Sequence, residues 1–236
     1  MFDQLKKVFG TFADKSSKSS DRPGERAVAA SDALSVWARA QGFTYNPAGD
    51  GKGFLMSGRT GNRPWRLERG HSSRAYIRGE ELRARAELRV DEDVAVLVMN
   101  RSLKEVLEKQ AYELYTDTLQ TTADPKLPEE MRWLAMYREA GWDSLSPAFW
   151  ARYSVLADKR GHALAWLDQN LADLLMSWPE PAPDAQVPFV LMLLRGKVYL
   201  RMQYTPADLP TLAHATLIFT RACELAMSDL APDIAL

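Results

Sequence analysis

A single cysteine in 236 residues excludes an intramolecular disulfide, and with it the disulfide-stapled frameworks on which small secreted domains depend. Cys223 lies among Ile218, Phe219, Ala222, Leu225 and Ala226 at helical spacing, which makes it buried filler. A reactive thiol needs a basic neighbour and a nearby base, and no histidine lies within a helical turn of it. Long apolar runs are missing too. The longest, Val94 to Met99 and Val187 to Leu194, fall far short of the roughly 20 residues a membrane-spanning helix needs. The opening MFDQLKKVFG breaks its apolar residues with an acid and two lysines, where a signal peptide carries an unbroken hydrophobic core. These absences give the expectation of a soluble, cytoplasmic protein.

An excess of one charge is also lacking. The chain carries 30 Lys+Arg against 31 Asp+Glu, a formal net charge of -1, so no whole-molecule field selects nucleic acid or an acidic membrane. The three histidines, His71, His162 and His214, lack the i, i+3 or i, i+4 spacing that gathers metal ligands. Gly51, Gly53, Gly58 and Gly61 are followed by strand-like sequence, whereas a phosphate loop feeds into a helix N-terminus. No nucleophile elbow surrounds Ser72 or Ser73. Of the carboxylate pairs, Glu80-Glu81 and Asp91-Glu92-Asp93 read as turn solvation, and Glu129-Glu130 as favourable charge at a helix start. The sequence therefore nominates no catalytic residue, no cofactor and no metal.

What is present is a change of period. Residues 1–13 place Phe2, Leu5, Val8, Phe9 and Phe12 on one helical stripe, and residues 14–26, rich in Ser and charge, form a flexible tether. A globular body follows over 27–228, as one unit or as two packed lobes at 27–118 and 126–228, with a frayed tail at 229–236. Within it, Ala27 to Gln41 resumes helical spacing up to Gly42. Phe43 to Met99 alternates with period two, with turns at Gly49–Gly53, Gly58–Gly61, Gly70 and Gly79.

The alternating Leu82 to Val90 and the all-apolar Val94 to Met99 are expected to pair as a hairpin through Asp91-Glu92-Asp93. Helices come next: Leu103 to Tyr115 capped by Ser102, one opened by Pro128 and running to Gly141, and one from Asp158 to Trp178. A strand over Phe149 to Ala157, a hairpin over Phe189 to Tyr204 and a final helix from about Asp208 to Ser228 complete the order. This is an α+β class: an antiparallel meander sheet in the N-terminal half with helices covering one side, and a C-terminal strand-helix-hairpin-helix unit.

Two surfaces are candidates for function. The stripe Phe2, Leu5, Val8, Phe9, Phe12 must be covered, and burying such side chains is worth roughly 1.5–3 kcal/mol each. Its receivers are the protein's own body or a second copy, a protein partner, or a membrane surface reached with Lys6 and Lys7, which Asp3 and Asp14 oppose. The window 51–89 holds ten Lys/Arg against four acids, ten minus four leaving +6, with Arg66, Arg83, Arg85 and Arg89 on strand-like sequence beside Phe54, Trp65 and Tyr76. Such a face could follow a phosphate backbone and stack bases, which makes nucleic-acid binding through 51–89 a third reading. The pI of about 6.3 argues against nucleic acid. The leading expectation is a non-catalytic interaction or accessory module with a protein partner or homo-oligomer. The alternative is a small-molecule pocket between sheet and helices, lined by Trp133, Trp142, Trp150 and Tyr153.

Overall fold

The computed structural model describes residues 23–49, 53–117 and 129–230. In chain order these form α1 (Pro23–Ala40), β1 (Thr44–Pro47), β2 (Phe54–Thr60), β3 (Arg63–His71), β4 (Glu80–Glu87), β5 (Ala95–Asn100), α2 (Arg101–Asp117), α3 (Glu129–Met136), β6 (Arg138–Ala140), α4 (Pro147–Arg152), β7 (Tyr153–Ala157), α5 (Arg160–Trp166), α6 (Gln169–Met176), β8 (Phe189–Leu194), β9 (Lys197–Gln203) and α7 (Leu209–Asp229). The apolar stripe at 2–12, nearly all of the tether and the tail from 231 lie outside the described residues.

The nine strands make one antiparallel sheet in the order β1-β2-β3-β4-β9-β8-β5-β7-β6. The fold class is thus α+β with an antiparallel sheet, and the N-terminal meander β1–β4 is continued by the C-terminal hairpin β8–β9. Burial explains the order. Every residue of β8, FVLMLL, and of β5, AVLVMN, is buried, so both strands need cover on two faces and sit centrally. Strand β9 alternates buried and half-buried residues, and β1, with three of four residues exposed, forms an edge.

The expected hairpin between Leu82–Val90 and Val94–Met99 is not formed. Strand β4 pairs with β3 and β9, and β5 with β8 and β7, because the C-terminal hairpin inserts between them. Three strand spacings, about 14 Å, then separate β4 from β5, a gap the connection 88–94 spans easily. Leu88 leaves the ladder to donate its N–H to Gly196 O, 2.9 Å away. Pairing by proximity in sequence lost to the two-sided burial that β8 demands.

Helices cover both faces of the sheet, not one. On the first face, Leu67 of β3, Leu82 of β4, Val98 of β5, Leu191 of β8 and Leu200 of β9 pack with Trp166 of α5, Leu171 of α6 and Phe219 of α7. On the second face, Leu97, Met99, Leu156 and Val190 pack under Leu103 and Leu107 of α2 and Trp133 of α3. Ser154 is buried with them.

Local chemistry corrects several boundaries. Asp168 accepts from Leu171 N at 2.7 Å as the N-cap of α6, so the long helix expected over 158–178 breaks at Leu167. Asp158 caps no helix: its carboxylate accepts from Ala95 N at 3.0 Å and meets His162 Nδ1 at 2.8 Å. Ser146, with Pro147 at the first helical position, starts α4, which takes residues 149–152 of the segment expected to be strand, and only Tyr153–Ala157 is extended. Helix α3 stops at Met136, because Arg138–Ala140 pairs with β7. Ser102 lies within α2 and donates its hydroxyl to Ala185 O at 2.9 Å.

Gly58 and Gly70 lie within β2 and β3 and make no turn. A Cβ at Gly58 would lie 2.4 Å from Cζ2 of Trp65, the residue opposite in the register. The glycine exists to admit that indole, which packs edge-on to Phe43 with centroids 4.9 Å apart.

Candidate functional site

The aromatic residues expected to share one pocket are divided between the two faces. Trp142 and Trp150 pack edge-on at 5.1 Å, and Tyr153 is buried beside them, its hydroxyl donating to Leu175 O at 2.9 Å. All three belong to the first-face core, while Trp133 belongs to the second. They are core anchors, and Trp150 donates its indole N–H to Trp142 O at 3.2 Å. Cys223 is buried, and burial pushes its thiol above the ordinary range, the opposite of an activated nucleophile.

The second face has two halves. Helices α2 and α3 pack over β5 and β7, whereas over β2, β3, β4 and β9 the outward positions carry charge. Register brings Arg66 opposite Arg85, Glu68 opposite Arg83, Arg83 opposite Arg201 and Arg85 opposite Tyr199. Like charges so placed repel unless acids intervene, and they do. Glu68 takes Arg83 at 3.2 Å and Arg66 at 3.6 Å, and Glu87 takes Arg85 and, at 3.7 Å, Lys197. The Arg85 guanidinium also lies 5.9 Å from the Tyr199 ring centroid. These two acids therefore serve as intra-sheet ties.

Of the residues the sequence singled out, Arg66, Arg83 and Arg85 do share this face, with side chains 59%, 36% and 37% exposed. Arg89 does not join them, since β4 ends at Glu87. At one end of β3 and β4 the strands frame a shallow groove of about 490 Å³ lined by Arg63, Pro64, Trp65, Arg66, Arg85 and Glu87. Arg63 has no carboxylate partner among the described residues.

A narrower cleft of about 120 Å³ lies where the open half meets α3. Its lining is Arg74, Glu129, Trp133, Met192, Leu194, Arg195, Tyr199 and Arg201. The connection 72–79 reaches over this face: Arg78 N donates to Gln203 Oε1 at 3.0 Å, and the Tyr76 hydroxyl donates to Glu130 Oε1 at 3.1 Å. Burial, then the Glu130 carboxylate, raise the Tyr76 pKa far above its ordinary value, so the hydroxyl stays protonated and remains a donor. Arg74 Nε lies 2.9 Å from Glu130 Oε1, and its Nη2 lies 3.6 Å from Glu129.

Two acids read as solvated turn or helix-start charge are in fact buried. Glu81 is fully buried, with Arg201 Nη1 3.1 Å from its Oε1, and the approach is off-axis, so neither Glu81 oxygen receives a directed hydrogen bond. Glu130 is 2% exposed. The alternation at β4 signalled which residues share a face. That the outer face would be roofed at Glu81 by a loop from 72–79 had no local signal. Among the described residues no three His, Cys, Asp or Glu gather as a metal site, and no helix is long and apolar enough to cross a membrane.

No protein-family model and no curated protein matches the chain. Among solved structures, the crystal structure of the mycobacterial trehalose monomycolate transport factor A is similar, at 12% sequence identity over 89% of this chain and 98% of that one, with a TM-score of 0.49. A likeness of that degree transfers neither site residues nor activity to this chain.

Proposed function

We propose that the chain is a non-catalytic interaction module that takes an acidic segment of a protein partner across the open, arginine-bearing half of its sheet. The observation behind this reading is the groove at the end of β3 and β4, lined by Arg63, Arg66 and Arg85 with one carboxylate, Glu87, already engaged by Arg85 and Lys197. A cationic patch of this kind steers acidic partners and fixes their register more than it adds raw affinity. Arg83 and Arg85 alternate on β4, and alternate residues of an extended peptide recur at the same spacing of about 7 Å, which suits acids at every second position.

Nucleic acid is the weaker reading, because the chain carries 30 Lys+Arg against 31 Asp+Glu and lacks the basic bias of a nucleic-acid domain. The test is fluorescence anisotropy with a labelled glutamate-rich peptide. Arg66→Glu with Arg85→Glu should weaken binding at least tenfold, and raising salt to physiological strength should weaken it further. Equal binding of a lysine-rich peptide, or indifference to the double reversal, would remove this function.

A further inference from the structure

The cleft beside α3 carries a feature that the open sheet face does not explain. The β8–β9 turn is Arg195-Gly196 with φ of 52° and 69°, the geometry in which Asn-Gly is the preferred pair. Among the described residues Arg195 is the one non-glycine in the left-handed region, a conformation disfavoured for any residue with a Cβ. An arginine held there, with its side chain lining a concave site, is the kind of local strain found where a side chain is needed for its chemistry. It lacks a salt-bridging carboxylate among the described residues, whereas Arg74 and Arg201 are neutralised by Glu130 and Glu81.

We infer that this cleft is a binding site for a small monocarboxylate with a ring-sized or short-chain apolar body. The cleft, about 120 Å³ against the roughly 150 Å³ of a closed cavity that holds benzene, is open on one side and seats part of such a body rather than enclosing it. The walls divide as such a ligand requires. Trp133, Met192 and Leu194, each under 8% exposed, with the half-buried Tyr199, offer the apolar side. Arg195 and Arg201 offer planar donor forks that match a carboxylate.

Arg74 is tied to Glu129 and Glu130, and Arg201 to Glu81, so Arg195 is the lining cation left to meet a ligand's carboxylate. Glu81 is a positioning residue: fully buried and 3.1 Å from Arg201 Nη1, it holds that guanidinium in place.

The test is titration of the full chain with 3-phenylpropionate, its neutral amide and inorganic phosphate, followed by ¹⁵N–¹H spectra that include the indole N–H groups. Saturable binding of the carboxylate with a shift at the Trp133 indole, absent for the amide and weaker for phosphate, is expected. Arg195→Asn should weaken binding at least tenfold while raising Tm by about 2–4 °C, since it relieves the strained turn; loss of binding therefore cannot be loss of fold. Arg201→Lys should also weaken binding. Arg66→Glu alone should leave it unchanged, which separates this site from the acidic-peptide groove. Equal binding of the amide, tighter binding of phosphate, unaltered affinity in Arg195→Asn, or no saturation by the carboxylate would overturn the inference.

Discussion

Replacing Glu81 by leucine tests whether the buried charge under the open face is held by one partner. Removing one member of a buried ion pair costs about 3–5 kcal/mol, because the other charge is left uncompensated in a poor solvent. Glu81 is fully buried, but Arg201 keeps 20% of its side chain exposed and can recover some hydration, so the lower end, about 3 kcal/mol, is expected. For a chain of this size that lowers Tm by roughly 6–12 °C. Glu81→Leu with Arg201→Met should restore most of the loss, because hydrophobic replacement of both members of a pair is often neutral. The assay is urea unfolding followed by tryptophan fluorescence and far-UV circular dichroism. A loss under about 1 kcal/mol in the single variant, or a double variant as unstable as the single, would refute the reasoning.

Gly58→Ala should cost about 1–3 kcal/mol by overpacking, since its Cβ would meet the rigid Trp65 indole at 2.4 Å and Phe43 at 2.9 Å; thermal denaturation indistinguishable from the parent would show that the ring moves freely. His214 donates from Nε2 to Leu174 O at 2.7 Å and lies 4.8 Å from the Trp178 ring. Burial holds its pKa below the ordinary 6.5, with the carbonyl bond opposing. The unfolded chain then binds the proton more readily, so this contribution to stability is fully present above about pH 6.5 and is lost as pH falls from there through the folded value. His214→Gln should flatten the stability profile between about pH 5 and 7, and an unchanged slope would place the titration elsewhere.

Much of the architecture is legible in periodicity. Strand β4 shows its two faces in Leu82, Ala84 and Ala86 against Arg83, Arg85 and Glu87, and β8 announces central burial by having no polar residue at all. What periodicity cannot carry is which strand lies beside which. The 88–94 segment looks like a hairpin turn, and only competition from β8–β9 for the same sheet edge turns it into a crossover. The helix breaks at Leu167 and Met136 follow from a cap and a strand pairing that depend on tertiary neighbours.

The candidate site divides the same way. Arg66, Arg83 and Arg85 could be named from alternation, because a strand places them on one face wherever it goes. Arg74, Glu130 and the pair Arg195 and Arg201 of the β8–β9 hairpin come from three separated parts of the chain, and nothing local links the three. Adjacent acids such as Glu80-Glu81 look alike in sequence, yet Glu80 pairs with Arg69 on the first face at 2.6 Å while Glu81 is buried on the second. A period of two separates such neighbours without saying which side is wet.

The interaction-module account stands or falls on where an acidic chain lands. Titrating ¹⁵N-labelled protein with hexaglutamate should shift the backbone amides of residues 63–66 and 83–87 in a saturable, salt-sensitive manner and leave the first-face helices α5 and α7 undisturbed. Shifts confined to those helices, or none at the groove, would contradict it.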